Sequence, residues 1–225
     1  MKEVCNEFVG FPSIEGFHNV VKNGEYNTPK YNYRGKIKLH GTCAGIRLIG
    51  DQVVAESRTK IITPTDDNAG FAKWVEANKS YFQNKLTDHT VFGEWCGPGI
   101  MKGTAINQLS SKIFAIFAIQ IGDGPEAPIV VDPVKIKEML GTMSSDVHIL
   151  PWFGESFKVD YGNRAELQET ANRLNKLIEE IEPVDLWVKE TFGIEGVCEG
   201  VVYYPSDSEP ILKLLRASMI SSICL

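Results

Sequence analysis

Between residues 33 and 57 the chain alternates in short runs. Tyr33, Gly35 and Ile37 alternate with Arg34, Lys36 and Lys38 until Gly41 interrupts, and Ile46 and Leu48 then share one face of a second run. A period of two predicts strands, here over 33–38, 44–49 and 53–57, joined by turns at Gly41 and Asp51-Gln52 into an antiparallel meander. Over 67–86 the period changes. Phe71, Trp74, Val75, Asn78, Tyr81 and Phe82 fall on one side of a 3.6-residue repeat, predicting an amphipathic helix with an aromatic face.

Residues 90–95 and 112–121 read as buried strands, with Cys96-Gly97-Pro98-Gly99 as a turn between them. Asp132-Pro133 has the form of a helix N-cap followed by proline, and Gly141 closes that helix. Asn163, with Glu166 three residues on, caps another whose stripe is Leu167, Ala171, Leu174, Ile178 and Ile181, with Pro183 just past its end. Strands over 197–204 and 211–215 follow. Residues 11–17 read as a loop or short helical turn, and 22–32 as a polar loop. The expectation is one α+β domain spanning 1–225, built on antiparallel sheet with helices outside.

Composition narrows the class. Of 225 residues, 43% are apolar and 23% charged, which suits a globular protein with a full core. No run of eighteen apolar residues occurs and the first residues lack an apolar signal core, so neither a membrane span nor secretion is expected. Cys5, Cys43, Cys96, Cys198 and Cys224 are odd in number and lack C-x-x-C spacing, which points to reduced thiols, a cytoplasmic location and no zinc site. The net charge is −6, but residues 1–120 hold 14 Lys and Arg against 11 Asp and Glu, while the remainder hold 9 against 18. The positive excess permits a phosphate-bearing partner in the first half, and a solvated face explains it equally well.

The candidate chemistry starts at Lys38-Leu39-His40-Gly41-Thr42. Alone, it is either a lysine beside a turn glycine or a lysine nucleophile of the kind that stores a nucleotide as a phosphoramidate. Arg58, at a strand end, has the planar fork that suits phosphate or ribose, although most such arginines are solvated. Glu94 interrupts an apolar strand, where a carboxylate is either partnered or on an edge facing water. Phe114 and Phe117 lie in a nearly continuous apolar run, which is core unless one of the two rings serves as a stacking face. Glu199 precedes Val201-Val202-Tyr203-Tyr204 and is preferred over Glu195, four residues earlier. Lys213 sits among Ile211, Leu212, Leu214 and Leu215, so it is paired, snorkelled or facing a polar cleft.

In this order the motifs resemble the covalent nucleotidyltransferase superfamily, and specifically the ATP-dependent RNA ligases of the type-two RNA ligase family found in phages and kinetoplastid editing complexes. His40 before the glycine is typical of that branch, and Phe11-Pro12-Ser13-Ile14-Glu15 resembles its N-terminal lead-in. The resemblance runs from about residue 8 to residue 217. It implies an ATP-grasp-like ligase domain of two antiparallel sheets flanked by helices, with the nucleotide cleft between them. It further implies an RNA-repair enzyme that joins 3′-OH and 5′-phosphate RNA ends through lysyl-AMP and AppRNA.

By the same resemblance Lys38 is the nucleophile, with His40 and Gly41 beside it in the nucleotide site. Arg58 contacts ribose or phosphate, Glu94 a ribose hydroxyl, and Phe117 the adenine. Glu199 orders the phosphates and a Mg²⁺ or Mn²⁺ ion through water, and Lys213 binds phosphate. An alkylamine with a pKa near 10.4 is neutral in only about one molecule in 2,500 at pH 7, so such a nucleophile needs cations and desolvation around it.

Four departures stand out. Ile37 replaces a glutamate common before the lysine, and Cys43 replaces an asparagine. Leu215 occupies the place of a second lysine, with Arg216 one residue further on. Only twelve residues follow Lys213, so no C-terminal RNA-binding domain is expected. The chain is then a one-domain enzyme, a truncated product, or a subunit whose separate RNA-binding partner supplies contacts. A protein that self-adenylylates, or passes AMP to another acceptor without efficient sealing, is the alternative.

Overall fold

The chain passes from one β-sheet to another within the few residues that follow Lys38. In the computed structural model, which describes residues 8–12, 14–17, 30–122, 127–205 and 211–215, the strand ending at Lys38 and the strand starting at Thr42 belong to different sheets. The meander expected across Gly41 is therefore a crossover. Each of the two strands already has a partner on both sides, which leaves no edge for the two to share. Two compact units result, one from residues 1–12, 41–102 and 110–150, the other from 13–40, 103–109 and 151–225.

The second unit holds β1 (Ile14–Gly16), β2 (Lys30–Lys38), β10 (Phe153–Asp160), β11 (Gly200–Pro205) and β12 (Ile211–Leu215), in the order β1-β12-β11-β2-β10. The β1–β12 pair is parallel and the others are antiparallel. On one face Gly35 lies under Val201 and Tyr203, and Phe157 meets Tyr203 edge-to-face at 4.8 Å. The helix α4 (Arg164–Ile181) lies against β10 and β11 and buries Leu167, Ala171, Leu174, Ile178 and Ile181, the stripe expected from its period. Asn163 caps it, accepting from Ala165 N at 3.2 Å and Glu166 N at 3.4 Å. A short helix, α5 (Leu186–Phe192), follows and ends at Gly193.

The first unit is a seven-stranded sheet of β3 (Thr42–Ile49), β4 (Gln52–Ser57), β5 (Ile61–Ile62), β6 (His89–Cys96), β7 (Ile113–Ile121), β8 (Ile129–Val130) and β9 (Val147–Ile149). All its pairs are antiparallel except β7–β9. Ala44, Ile46, Ala55, Val91, Trp95, Phe114 and Ile116 form one apolar face, packed against α1 (Phe71–Ala77), α2 (Lys79–Gln83) and α3 (Pro133–Leu140). Burying side chains of this size contributes about 1.5–3 kcal/mol each. Trp74 packs between Trp95 at 5.0 Å and Phe82 at 5.5 Å, so the aromatic face expected over 67–86 is core.

That helix is two pieces, however. Asn78 has φ −109° and its side-chain amide donates to Trp74 O at 2.8 Å, a local bond that competes with continuing the helix. Other departures are equally local. Residues 14–16 form a strand because β12 offers them an edge, where a loop or turn is expected from sequence. Strand β10 is hidden because Gly154 (φ 65°) and a register shift between Phe153 and Phe157 break its alternation. Most of the polar loop expected over 22–32 lies outside the described residues, and residues 30–32 already belong to β2. Among the described residues no helix is long and apolar enough to cross a membrane.

Candidate active site

Lys38 is the last residue of β2, in register with Gly200 at the start of β11. Gly200 has φ 149°, a conformation that side-chain-bearing residues rarely adopt, and it turns the chain so that the preceding Glu199 meets the end of β2. Lys38 Nζ donates to Glu199 Oε1 at 2.5 Å. The lysine side chain is 25% exposed and the glutamate 9%, so this is a charge-assisted bond at the margin of water. The other carboxylate oxygen, Glu199 Oε2, is buried without a hydrogen-bond partner. Glu195, the competing register, is instead on the surface, bonded to Lys189 at 2.7 Å, and that bond holds its carboxyl below the usual range.

The face of β2 that carries Lys38 also carries Arg34 and Lys36. Lys36 is 1% exposed, and its ammonium lies 5.0 Å from the Trp152 ring centre and 5.5 Å from that of Tyr204. Arg34 places its guanidinium 4.9 Å over the same Trp152 ring. A lysine so buried is invisible in the alternation, which marks its position only as polar. The register sets Lys213 opposite Val202, which pairs in turn with Lys36. Leu215, where a second lysine is expected, is opposite Gly200 and so in line with Lys38. Arg216 lies outside the described residues.

Just past Lys38, His40 Nδ1 is buried with no partner, and the His40 carbonyl accepts from Asn107 Nδ2 at 3.1 Å. Gly41 is required by close approach within the first unit. A Cβ there would lie 2.5 Å from Trp95 O and 2.9 Å from Glu94 Cγ. The backbone of β6 therefore leaves room for glycine alone.

On the sheet face of the first unit opposite its helices, Cys43 is paired in register with Glu94, and Glu94 with Ala115. Glu94 is half-buried. The β6–β7 ladder shifts between Phe92 and Gly93, so that Phe117 is the extra residue of a bulge, a device that re-aims a side chain. Phe117 is 7% exposed and meets Phe11 edge-to-face at 4.9 Å, and Phe11 meets Phe92 at 5.2 Å. The lead-in to Phe11 is tied down by Val9 N donating to Glu56 Oε1 at 3.3 Å. That carboxylate is buried and also accepts from Arg47 Nε at 2.8 Å. Arg58 is exposed on a turn whose Ser57 Oγ accepts from Lys60 N at 3.3 Å, and its carbonyl oxygen lies beside the lead-in, 3.8 Å from where a Cβ on Gly10 would be.

No group of three or more His, Cys, Asp or Glu side chains that could hold a metal ion forms among the described residues. What exists is a lysine–carboxylate pair with a spare, buried acceptor beside a motif whose histidine also has a spare nitrogen. A model of the RNA ligase family matches residues 33–215, a stretch that begins in β2 and ends with β12.

The chain belongs to the RNA ligase family.

No curated protein matches it. Among solved structures it is similar to Naegleria gruberi RNA ligase with pyrophosphate, at 19% identity and a TM-score of 0.62, covering 96% of this chain and 59% of that one. It is also similar to a mutant of that ligase with ATP and Mn (18%, 0.63) and to another with AMP and Mn (16%, 0.64), each covering 96% of this chain and 60% of the other. The chain thus spans about three fifths of the length of these relatives, and the likeness establishes an RNA ligase nucleotidyltransferase fold. Of the residues bonded to the Lys38 segment, Asn107 is one that the sequence does not single out. Its only sequence signal is Thr104 three residues before it, the spacing of a capped turn.

Proposed function

We propose that this protein is an ATP-dependent RNA ligase that joins 3′-OH and 5′-phosphate RNA ends. The observation that carries the reading is the 2.5 Å bond between Lys38 and Glu199 within the motif order of a family to which the chain belongs. Lys38 Nζ attacks the α-phosphorus of ATP. An N–P bond forms, the bond to the β-phosphate oxygen breaks, and pyrophosphate leaves. The ammonium must shed a proton before it attacks, and the bond to Glu199 Oε1 supplies a path for it. AMP then moves from Lys38 to the RNA 5′-phosphate, giving AppRNA. Attack by the 3′-OH releases AMP and completes the phosphodiester.

The remaining roles follow the same reading. Glu94 holds a ribose hydroxyl, Phe117 stacks on adenine, Arg58 contacts ribose or the incoming phosphate, and Lys213 binds phosphate. His40 Nδ1 is a buried nitrogen with unused hydrogen-bonding capacity, which suits a nucleotide contact. The nucleotides and manganese in the solved Naegleria gruberi structures support ATP and a divalent cation here. A bound Mg²⁺ or Mn²⁺ supplies charge neutralisation for the departing pyrophosphate. With one buried carboxylate oxygen free, Glu199 would hold such an ion through a water on Oε2.

Incubating the protein with pre-adenylylated RNA and a 3′-OH acceptor tests the sealing step, and joined product is expected. A protein that takes label from ATP but joins no RNA is instead one that self-adenylylates or passes AMP to another acceptor.

A further inference from the structure

A four-residue 3-10 turn, Ala105–Gln108, reaches both ends of the Lys38–Glu199 pair. From one side Asn107 Nδ2 donates to the carbonyl of His40, two residues after Lys38, at 3.1 Å. From the other, Ala105 N donates to the carbonyl of Val197, two residues before Glu199, at 2.9 Å. With the ion pair these bonds close a ring of three tripeptides: 38–40, 105–107 and 197–199. All three belong to the second unit, although residues 103–109 are flanked in sequence by segments of the first. The turn is firmly seated, with Ala105 and Ile106 both fully buried. Gly196 lies so close that a Cβ there would be 3.1 Å from Ala105 Cα.

Within the turn the two ends of the Asn107 amide do different work. Oδ1 accepts from Thr104 Oγ1 at 2.8 Å and from Thr104 N at 3.4 Å, which closes the turn on itself. Nδ2 alone faces the nucleophile segment. We infer that Asn107 is a positioning residue, which through the His40 carbonyl holds Lys38 in line with Glu199 for attack on the nucleotide. The inference rests on the ligase chemistry proposed for Lys38. Its physical content is that a lysine side chain with several rotatable bonds loses attack geometry when its own backbone drifts.

Asn107→Asp separates the two jobs, because it keeps the acceptor for Thr104 and sets an oxygen against the His40 carbonyl. The expected result is an about ten-fold lower rate constant for self-labelling from α-labelled ATP, with the half-saturating ATP concentration changed by less than about two-fold. Amide hydrogen exchange across 38–43 and 195–200 should also speed up, whether or not the protein takes label. Asn107→Ala, which leaves the carbonyl to water, should slow labelling in the same way. A folded Asn107→Asp or Asn107→Ala protein that labels at the wild-type rate, or unchanged exchange in both segments, overturns the inference. Faster exchange in a protein whose wild type never labels keeps the clamp and removes the ligase reading instead.

Discussion

Lys38 and Glu199, 161 positions apart in the chain, meet through a single hydrogen bond of 2.5 Å at the end of a β-strand pair. One carboxylate oxygen is spent on the ammonium and the other is buried and unpartnered. Glu199→Gln keeps the shape and removes the charge, so the route for the amine proton is lost while the fold is kept. Self-labelling at saturating ATP should fall about 100-fold or more, measured as a single-turnover rate. A rate within two-fold of wild type would remove Glu199 from the chemistry.

Gly41→Ala tests why the motif needs glycine. Its Cβ would be 2.5 Å from a backbone oxygen, Trp95 O, which cannot rotate away. The strand must shift, at a cost of about 2 kcal/mol or more in urea unfolding, with a parallel loss of labelling. A variant as stable as wild type would mean that β6 yields more easily than its packing implies.

Much of this was legible in advance, and the failures share a cause. Strands β3, β6 and β7 and the capped helices α3 and α4 announce themselves because their period, caps and burial agree. What was hidden depended on partners remote in sequence. The Gly41 stretch reads as a hairpin turn until β2 is seen to pair with β10 and β11, and β3 with β4 and β6. Residues 14–16 are a strand only because β12 lies beside them, and β10 loses its alternation at Gly154. At the candidate site, Lys38 could be picked out from the motif Lys38-Leu39-His40-Gly41-Thr42, and Glu199 because a strongly β-prone run follows it. Lys36 and Asn107 could not, because the Trp152 and Tyr204 rings beside the one are remote in sequence, and the carbonyl bonded to the other is 67 positions away.

The buried pair of Arg47 and Glu56 makes a separate prediction. Both side chains are almost wholly inaccessible, at 2% and 0%. Arg47→Met leaves a carboxylate in a largely apolar interior and should cost about 3–5 kcal/mol, whereas Arg47→Met combined with Glu56→Leu should recover part of it, since Val9 N then loses its acceptor. Urea unfolding of both variants reads this directly. A single variant within 1 kcal/mol of wild type would show that other contacts satisfy Glu56.

Asp185 should give stability a pH dependence. It is 1% exposed and caps α5 by accepting from Val188 N at 3.0 Å, and burial pushes its carboxyl up to about 6. Between the unfolded value near 3.9 and about 6, the folded protein holds a proton that the unfolded chain has released. Its contribution is therefore full below about pH 4, falls as pH rises to about 6, and stays low above that. Asp185→Asn keeps a capping acceptor without a charge to bury. The variant should match wild type near pH 4 and exceed it by about 2–3 kcal/mol at pH 7. Equal stability at both pH values would contradict the raised carboxyl.

The most direct measurement is covalent labelling from α-labelled ATP with Mg²⁺, comparing wild type with Lys38→Ala. Wild type should acquire a label that survives alkali and is released by acid, as a phosphoramidate is, mapping to the peptide that contains Lys38. Lys38→Ala should acquire none. Label that persists in Lys38→Ala, or that maps to another lysine, would contradict the account at its centre.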